Sequence, residues 1–220
     1  MRKLKTLVIC LALVSASVGS AQTIPEVWGV WDWPYTEPIH IMITPGDGGD
    51  PLNDADFFGG APVDATIRVQ LWASGGSLED PQPPQSIANF PSEDLWLEAP
   101  GVAMCMGGAT ADANTDADGW FTFSGRLNGG GWTDANLGAP GLQVIVSGMP
   151  LDDQTASIRP HILVNSPDLD GDGRVSITDI PPFADDFYGA YAFRSDFLWD
   201  GVINLSDVTR FAASLGESCP

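Results

Sequence analysis

The sequence predicts a mainly β chain in which an antiparallel β-sandwich is followed by a small α-helical domain. Three observations carry this. Short segments of alternating apolar and polar residues recur between Gly- and Pro-rich turns from about residue 38 to 164, the pattern of strands that bury one face. Beyond Asn165-Ser166-Pro167 the apolar spacing becomes helical. In that last part a twelve-residue acidic loop pattern occurs twice, at an offset of 28 residues.

The chain opens Met1-Arg2-Lys3-Leu4-Lys5, runs apolar from Leu7 to Val18 and reaches the small residues Gly19-Ser20-Ala21. A charged start, an apolar stretch too short to span a bilayer and a small-residue end predict a signal peptide over 1–21. The expected location is therefore secreted, extracellular or at the cell surface. No second long apolar run follows, so no transmembrane segment is expected. Residues 22–37, with Trp28, Trp31 and Trp33, read as a lead-in to the β domain of residues 38–164. Within that domain Ile39, Ile41 and Ile43 share one face of the first strand, and Ile67, Val69 and Leu71 one face of the next. Further strands are expected at Leu95–Leu97, at Phe121 and Phe123, at Leu142, Val144 and Val146, and at 161–164. Gly46–Gly60 reads as a loop, and Gly75–Pro91, dominated by Pro, Gly, Ser and Gln, as a stretch with no regular element longer than a few residues.

Charge narrows the partner classes. The nine basic residues include Arg2, Lys3 and Lys5, so loss of the signal leaves six, all arginine, against 29 acidic residues. Nucleic acid is excluded as an expected partner, since phosphate binding needs clustered Lys and Arg. Removal of Cys10 with the signal leaves Cys105 and Cys219. In an oxidising compartment they are candidates for one disulfide joining the middle domain to the C-terminal tail, or for two separately buried thiols.

The acidic loops carry the chemistry. Asp168 to Asp179 places oxygen donors at loop positions 1, 3 and 5 (Asp168, Asp170, Asp172), and Gly173 at position 6, where the chain must turn. Arg174 at position 7 offers its backbone carbonyl, Ser176 stands at position 9 and Asp179 closes the loop at position 12. Calcium is a hard cation that takes six to eight oxygens, so acidic side chains on alternate residues of a curved loop suit it. Val175 at position 8 is expected to reach the paired loop through a short β-contact. The second unit has Asp196, Asp200, Val202 by its carbonyl, Asn204 and Asp207 at positions 1, 5, 7, 9 and 12. Leu198 at position 3 has no side-chain oxygen, so the reading is two Ca2+ sites with the second weaker. Ile177, Ile180, Phe183 and Phe187 correspond to Leu205, Val208, Phe211 and Leu215, spacings that put an apolar stripe on each following helix. Pro181-Pro182 predict that the first helix starts late or kinks. A domain of 165–220 with so small a core is expected to need its metal to fold.

Residues 168–179 and 196–207 with their following helices resemble the dockerin type I domain, a duplicated EF-hand-like calcium module. The resemblance implies ion binding by the donors already named and docking of a cohesin-like domain of another protein. The docking residues it implies stand at loop positions 10 and 11: Ile177 and Thr178, then Leu205 and Ser206. In the middle domain, 115–123 followed by Gly129-Gly130-Gly131 looks like the late hairpin of Ig-like surface modules, with a third ion loop from Asn114 as the alternative.

The function expected is a secreted, non-catalytic calcium-binding protein that docks to a partner or is stabilised by its metal. The alternative is a carbohydrate-active component of an extracellular assembly for polysaccharide breakdown, since dockerins often accompany glycoside hydrolases. Glu93, Asp94 and Glu98 lack the context of a glycosidase pair. Carbohydrate binding through the tryptophans stays open. His40 and His161 have no partner motif for nucleophilic catalysis, so no enzyme activity is expected.

Overall fold

A computed structural model describes residues 27–32, 35, 37–76, 81–133, 141–153 and 161–220. The expected signal peptide lies outside the described residues. The fold is mixed α/β, with several separate sheets followed by two C-terminal helices.

The strands run in chain order as β1 (Val27–Asp32), β2 (Ile39–Met42), β3 (Ala55–Phe57), β4 (Ala61–Val63), β5 (Ile67–Gly76) and β6 (Pro81–Ser86). They continue as β7 (Leu95–Glu98), β8 (Val102–Met104), β9 (Trp120–Phe123), β10 (Gly129–Gly131), β11 (Gln143–Val146), β12 (Met149–Pro150), β13 (Asp152–Asp153) and β14 (Ile162–Asn165). The largest sheet has the order β13-β1-β5-β6, with β9 also on β5. Its register sets Ile67 opposite Phe123 and Val69 opposite Phe121, so the alternation in both strands sends four apolar side chains to one face. A second sheet has the order β14-β2-β3-β4, a third β12-β11-β7, and β8 pairs with β10 alone. One apolar core takes Ile39, Ile41, Val69, Leu71, Leu95, Leu97, Phe121, Phe123, Val144 and Ile162. At about 1.5–3 kcal/mol per fully buried large apolar side chain, this core is the main stabilising term of the β region.

Three expectations need correction. The strands are not all antiparallel: β14 runs parallel to β2 and β13 parallel to β1, because the chain returns to these edges through long connections rather than hairpins. The Pro-rich stretch contains β6, an edge strand on β5, a position where proline's missing N–H is tolerated. The Gly/Asp loop after residue 46 contains β3, whose Phe57 lies opposite Ile39.

The helices are α1 (Ile180–Tyr188) and α2 (Leu205–Ser214). α1 begins at Ile180, whereas α2 begins at Leu205, the equivalent of Ile177, so the first helix starts three residues late in the loop register, as its prolines predict. Pro181 and Pro182 fall in its first turn, where backbone N–H groups have no intrahelical partner to lose. α2 begins with a reciprocal cap: the Asn204 side chain accepts from the Ser206 amide at 2.8 Å, and Asp207 accepts from the Asn204 amide at 2.9 Å. The equivalent residues Phe183 and Phe211 stack with ring centroids 5.0 Å apart, and Phe197 stacks on Phe183 at 5.8 Å. With Met42 of β2, Leu169 and Val175 they form a second core, so the helices pack on each other and on the β region together. Ile177, Leu205 and Leu215 of the expected stripes remain exposed.

His40 joins the two parts. It is fully buried; Asn165 Nδ2 donates to the carbonyls of Phe193 and Asp196, so His40 Nε2 donates to Asn165 Oδ1 at 2.9 Å. Its Nδ1 is buried without a hydrogen-bond partner, and the imidazole lies 5.7 Å, centroid to centroid, from the rings of Phe193 and Trp199. Burial lowers its pKa to about 4, against the upward pull of the Asn165 bond. Between pH 6.5 and 4 the unfolded chain therefore binds more protons at this residue than the native one, and stability falls as pH is lowered through that window. The expected loss is on the order of 3 kcal/mol by pH 4. His40→Gln, which keeps an amide donor for Asn165, should flatten that part of the pH–stability curve measured by urea denaturation; an unchanged slope would show that the loss originates elsewhere.

Candidate metal centre

The first acidic loop is turned by left-handed glycines, Gly171 and Gly173, and its side-chain oxygens converge. Carboxylate oxygens of Asp168, Asp170 and Asp172 lie within 4.8 Å of one another, Asp168 buried and the other two exposed. This three-aspartate cluster can coordinate a cation. Asp179 closes the loop from the start of α1: its Oδ1 accepts from the amides of Leu169 (2.7 Å) and Asp170 (3.2 Å), and its Oδ2 from Ser176 (2.8 Å). Asp168 Oδ1 accepts from the Asp172 amide at 3.2 Å and Oδ2 from Gly173 at 2.9 Å. The Ser176 hydroxyl, at the rim, lies 2.8 Å from that of Thr178.

The loop at 196–207 folds by the same bonds. Asp207 Oδ1 accepts from Phe197 (2.8 Å) and Leu198 (3.3 Å), and Oδ2 from Asn204 (2.9 Å). Asp196 accepts from Asp200 (3.2 Å) and Gly201 (2.9 Å). Three differences follow from sequence. Leu198 contributes no carboxylate, and no three-acid cluster forms here. Tyr191, just before the loop, donates its hydroxyl to Asp196 Oδ2 at 2.9 Å. Position 4 is left-handed in both loops; Trp199 takes it where the first loop has Gly171, held by the rings of His40 and Phe58.

The electrostatics are those of buried acids lacking full compensation. Burial, countered by the Gly173 amide and reinforced by Asp179 and Asp172, pushes Asp168 up to about 6. Burial also raises Asp196 and Asp207. The ion pairs among the described residues join Arg194 to Asp186 and Arg210 to Asp50, away from these carboxylates. These carboxyls are therefore open to neutralisation by a proton or by a cation from solvent.

Sequence reading missed what holds the first loop in place. Val175, expected to meet the other loop, bonds instead to the C-terminal tail: its amide donates to Glu217 O and its carbonyl accepts from Gly216, each at 2.9 Å. On the other side the Gly131 amide donates to Asp168 O at 2.7 Å, and a Cβ on Gly130 would overlap the Asp168 carboxylate. The Gly129-Gly130-Gly131 run was the available signal, since three successive glycines mark a close backbone approach. Cys105 and Cys219 form a disulfide with Cα atoms 5.4 Å apart. Of the docking residues expected, Ile177 is 79% and Leu205 74% exposed, with Thr178 and Ser206 beside them also exposed. Arg174 is exposed and bridges Ser218, and Val202 is exposed. The 115–123 turn is organised by Asp116, whose Oδ1 accepts from Asp118 and Trp120, each at 2.9 Å. Trp96 donates to Glu98, and Trp120 and Trp132 lie beneath Arg68 and Arg194.

Gly130→Ala should therefore cost about 1–3 kcal/mol through forced displacement of the carboxylate. Gly125→Ala, where an added Cβ would meet only Asp112 Oδ1 at 4.0 Å, should be near neutral. Equal urea midpoints for the two variants would contradict the close seating of Asp168 on β10.

No family model matches the chain, and neither does any curated protein or solved structure. The expected resemblance to a dockerin, a duplicated EF-hand-like module, is corrected: the described residues contain two helices and one three-aspartate cluster, not a pair of helix-loop-helix units. α1 follows its loop and α2 starts within the last three residues of its own; the segment before the first loop is β14, and that before the second is the short 3-10 turn Phe193–Ser195.

Proposed function

We propose that residues 168–179 bind calcium and that the ion is structural, fixing the C-terminal helices and their loops against the β region. The convergence of Asp168, Asp170 and Asp172 carries this reading. Hard, flexible oxygen coordination favours calcium over magnesium, which demands near-octahedral geometry and keeps its waters. The second loop takes a second, weaker ion through Asp196, Asp200, Asn204 and Asp207, with water in place of a ligand at Leu198. The protein is non-catalytic and secreted; its disulfide suits an oxidising compartment, and no helix among the described residues is long and apolar enough to cross a membrane. That strands of separate sheets share one core supports reading the β region as a sandwich. The exposed apolar side chains of Ile177 and Leu205 favour a second reading, in which the ion-fixed loops also present a contact surface for another protein.

Calcium at about a thousand times its dissociation constant should stabilise the full chain by about 4 kcal/mol, a rise on the order of 10 °C in Tm for a protein of this size. Asp170→Asn with Asp172→Asn should abolish most of that rise. A melting curve indifferent to calcium, or a rise unaffected by the double variant, would refute this assignment.

A further inference from the structure

The disulfide and the first acidic loop form one mechanical unit. The tail pairs with loop positions 6 to 8: the Cys219 amide donates to Gly173 O at 2.9 Å, Arg174 bridges Ser218, and Val175 bonds Glu217 and Gly216. Position 1 is held from the opposite side by β10, through the Gly131 amide on Asp168 O and the Ser166 hydroxyl on Gly129 O at 3.2 Å. Cys105 stands at the corner of this second support. It directly follows β8, the partner of β10, and its amide donates to Asn128 O at 2.9 Å. The Cys105–Cys219 bond spans 114 residues of chain and ties the two supports together across the loop.

We propose that this disulfide is a redox control on the cation site. The inference rests on the reading of 168–179 as a calcium loop. A small dithiol reductant cleaves the bond by thiol–disulfide exchange: the reductant becomes a cyclic disulfide, and Cys105 and Cys219 each take up one proton and one electron to become thiols. The tail then releases positions 6 to 8, including the Arg174 carbonyl that belongs to the ion's shell, and affinity falls. Coupling between two sites is reciprocal, so calcium in turn protects the disulfide. Cys105 is buried and Cys219 only partly exposed, so attack by the reductant requires the tail to lift, the movement that calcium opposes.

The test is calcium titration calorimetry on the full oxidised chain, on the same protein reduced with dithiothreitol, and on the Cys105→Ser, Cys219→Ser double variant. Affinity of the tighter site should drop by a factor on the order of ten on reduction, within the usual range for coupled sites, and the variant should match the reduced protein. The rate of disulfide reduction, followed by thiol labelling, should slow in saturating calcium because the tail must lift before the reductant reaches the bond; this readout does not need the reduced chain to stay folded. No calcium uptake by the oxidised chain would overturn the calcium reading and the coupling with it. Uptake unchanged within about twofold by reduction, or a reduction rate indifferent to calcium, would overturn the coupling alone.

Discussion

Four carboxylates without solvent exposure, those of Asp168, Asp179, Asp196 and Asp207, set the terms for the C-terminal part of this molecule. Removing an ion from water costs several kcal/mol even after relaxation, and the burial persists only if donors or opposite charge replace the lost hydration. Here the donors are backbone amides of the loops themselves. To aim those amides inward the chain must turn through left-handed residues at positions 4 and 6, which explains Gly171, Gly173 and Gly201 and makes Trp199 an exception supported by its neighbours. The amides only partly offset the cost, as the raised pKa values of Asp168, Asp196 and Asp207 show. The three-aspartate cluster of the first loop can take a cation that would offset the remainder.

The same constraint binds the two parts of the chain. Loops bent this tightly cannot also build a large apolar core, so the helices borrow one, stacking Phe183, Phe197 and Phe211 on Met42 of the β region. Polar seams reinforce the contact: His40 through Asn165 to the carbonyls around the second loop, Arg210 to Asp50 at 2.9 Å, and the glycines of β10 against Asp168. Each seam joins a loop or helix of the C-terminal part to a residue of the β region. The metal centre is thus supported from the β region and not by its own helices alone.

Much of this was legible before the structure. Acidic residues at alternate positions with a glycine at position 6 identify the first loop, and the second follows from its match at positions 1, 5, 6 and 12 at an offset of 28 residues. Strict alternation locates β5 and β9, where Ile67, Val69, Phe121 and Phe123 face one core. What escaped was non-local or backbone-borne. β6 consists of Pro, Gln and Ser and exists because β5 offers an edge; no periodicity announces that. By contrast, Pro181-Pro182 did announce the delayed start of α1 at Ile180, three residues beyond the equivalent of Leu205. The dockerin resemblance relied on spacing within the loops, but family membership would also require what precedes and pairs them. Here a strand precedes the first loop, and the tail replaces the second loop as partner of Val175.

The central claim is that the buried acids of the first loop are completed by calcium. Calcium bound per chain, counted by native mass spectrometry across a titration of the full protein, tests it most directly. The account predicts one ion at the lowest calcium concentrations, lost in the Asp170→Asn, Asp172→Asn variant, and a second only at higher concentration. A chain that carries no calcium at any concentration, or whose first ion survives that double substitution, would contradict it.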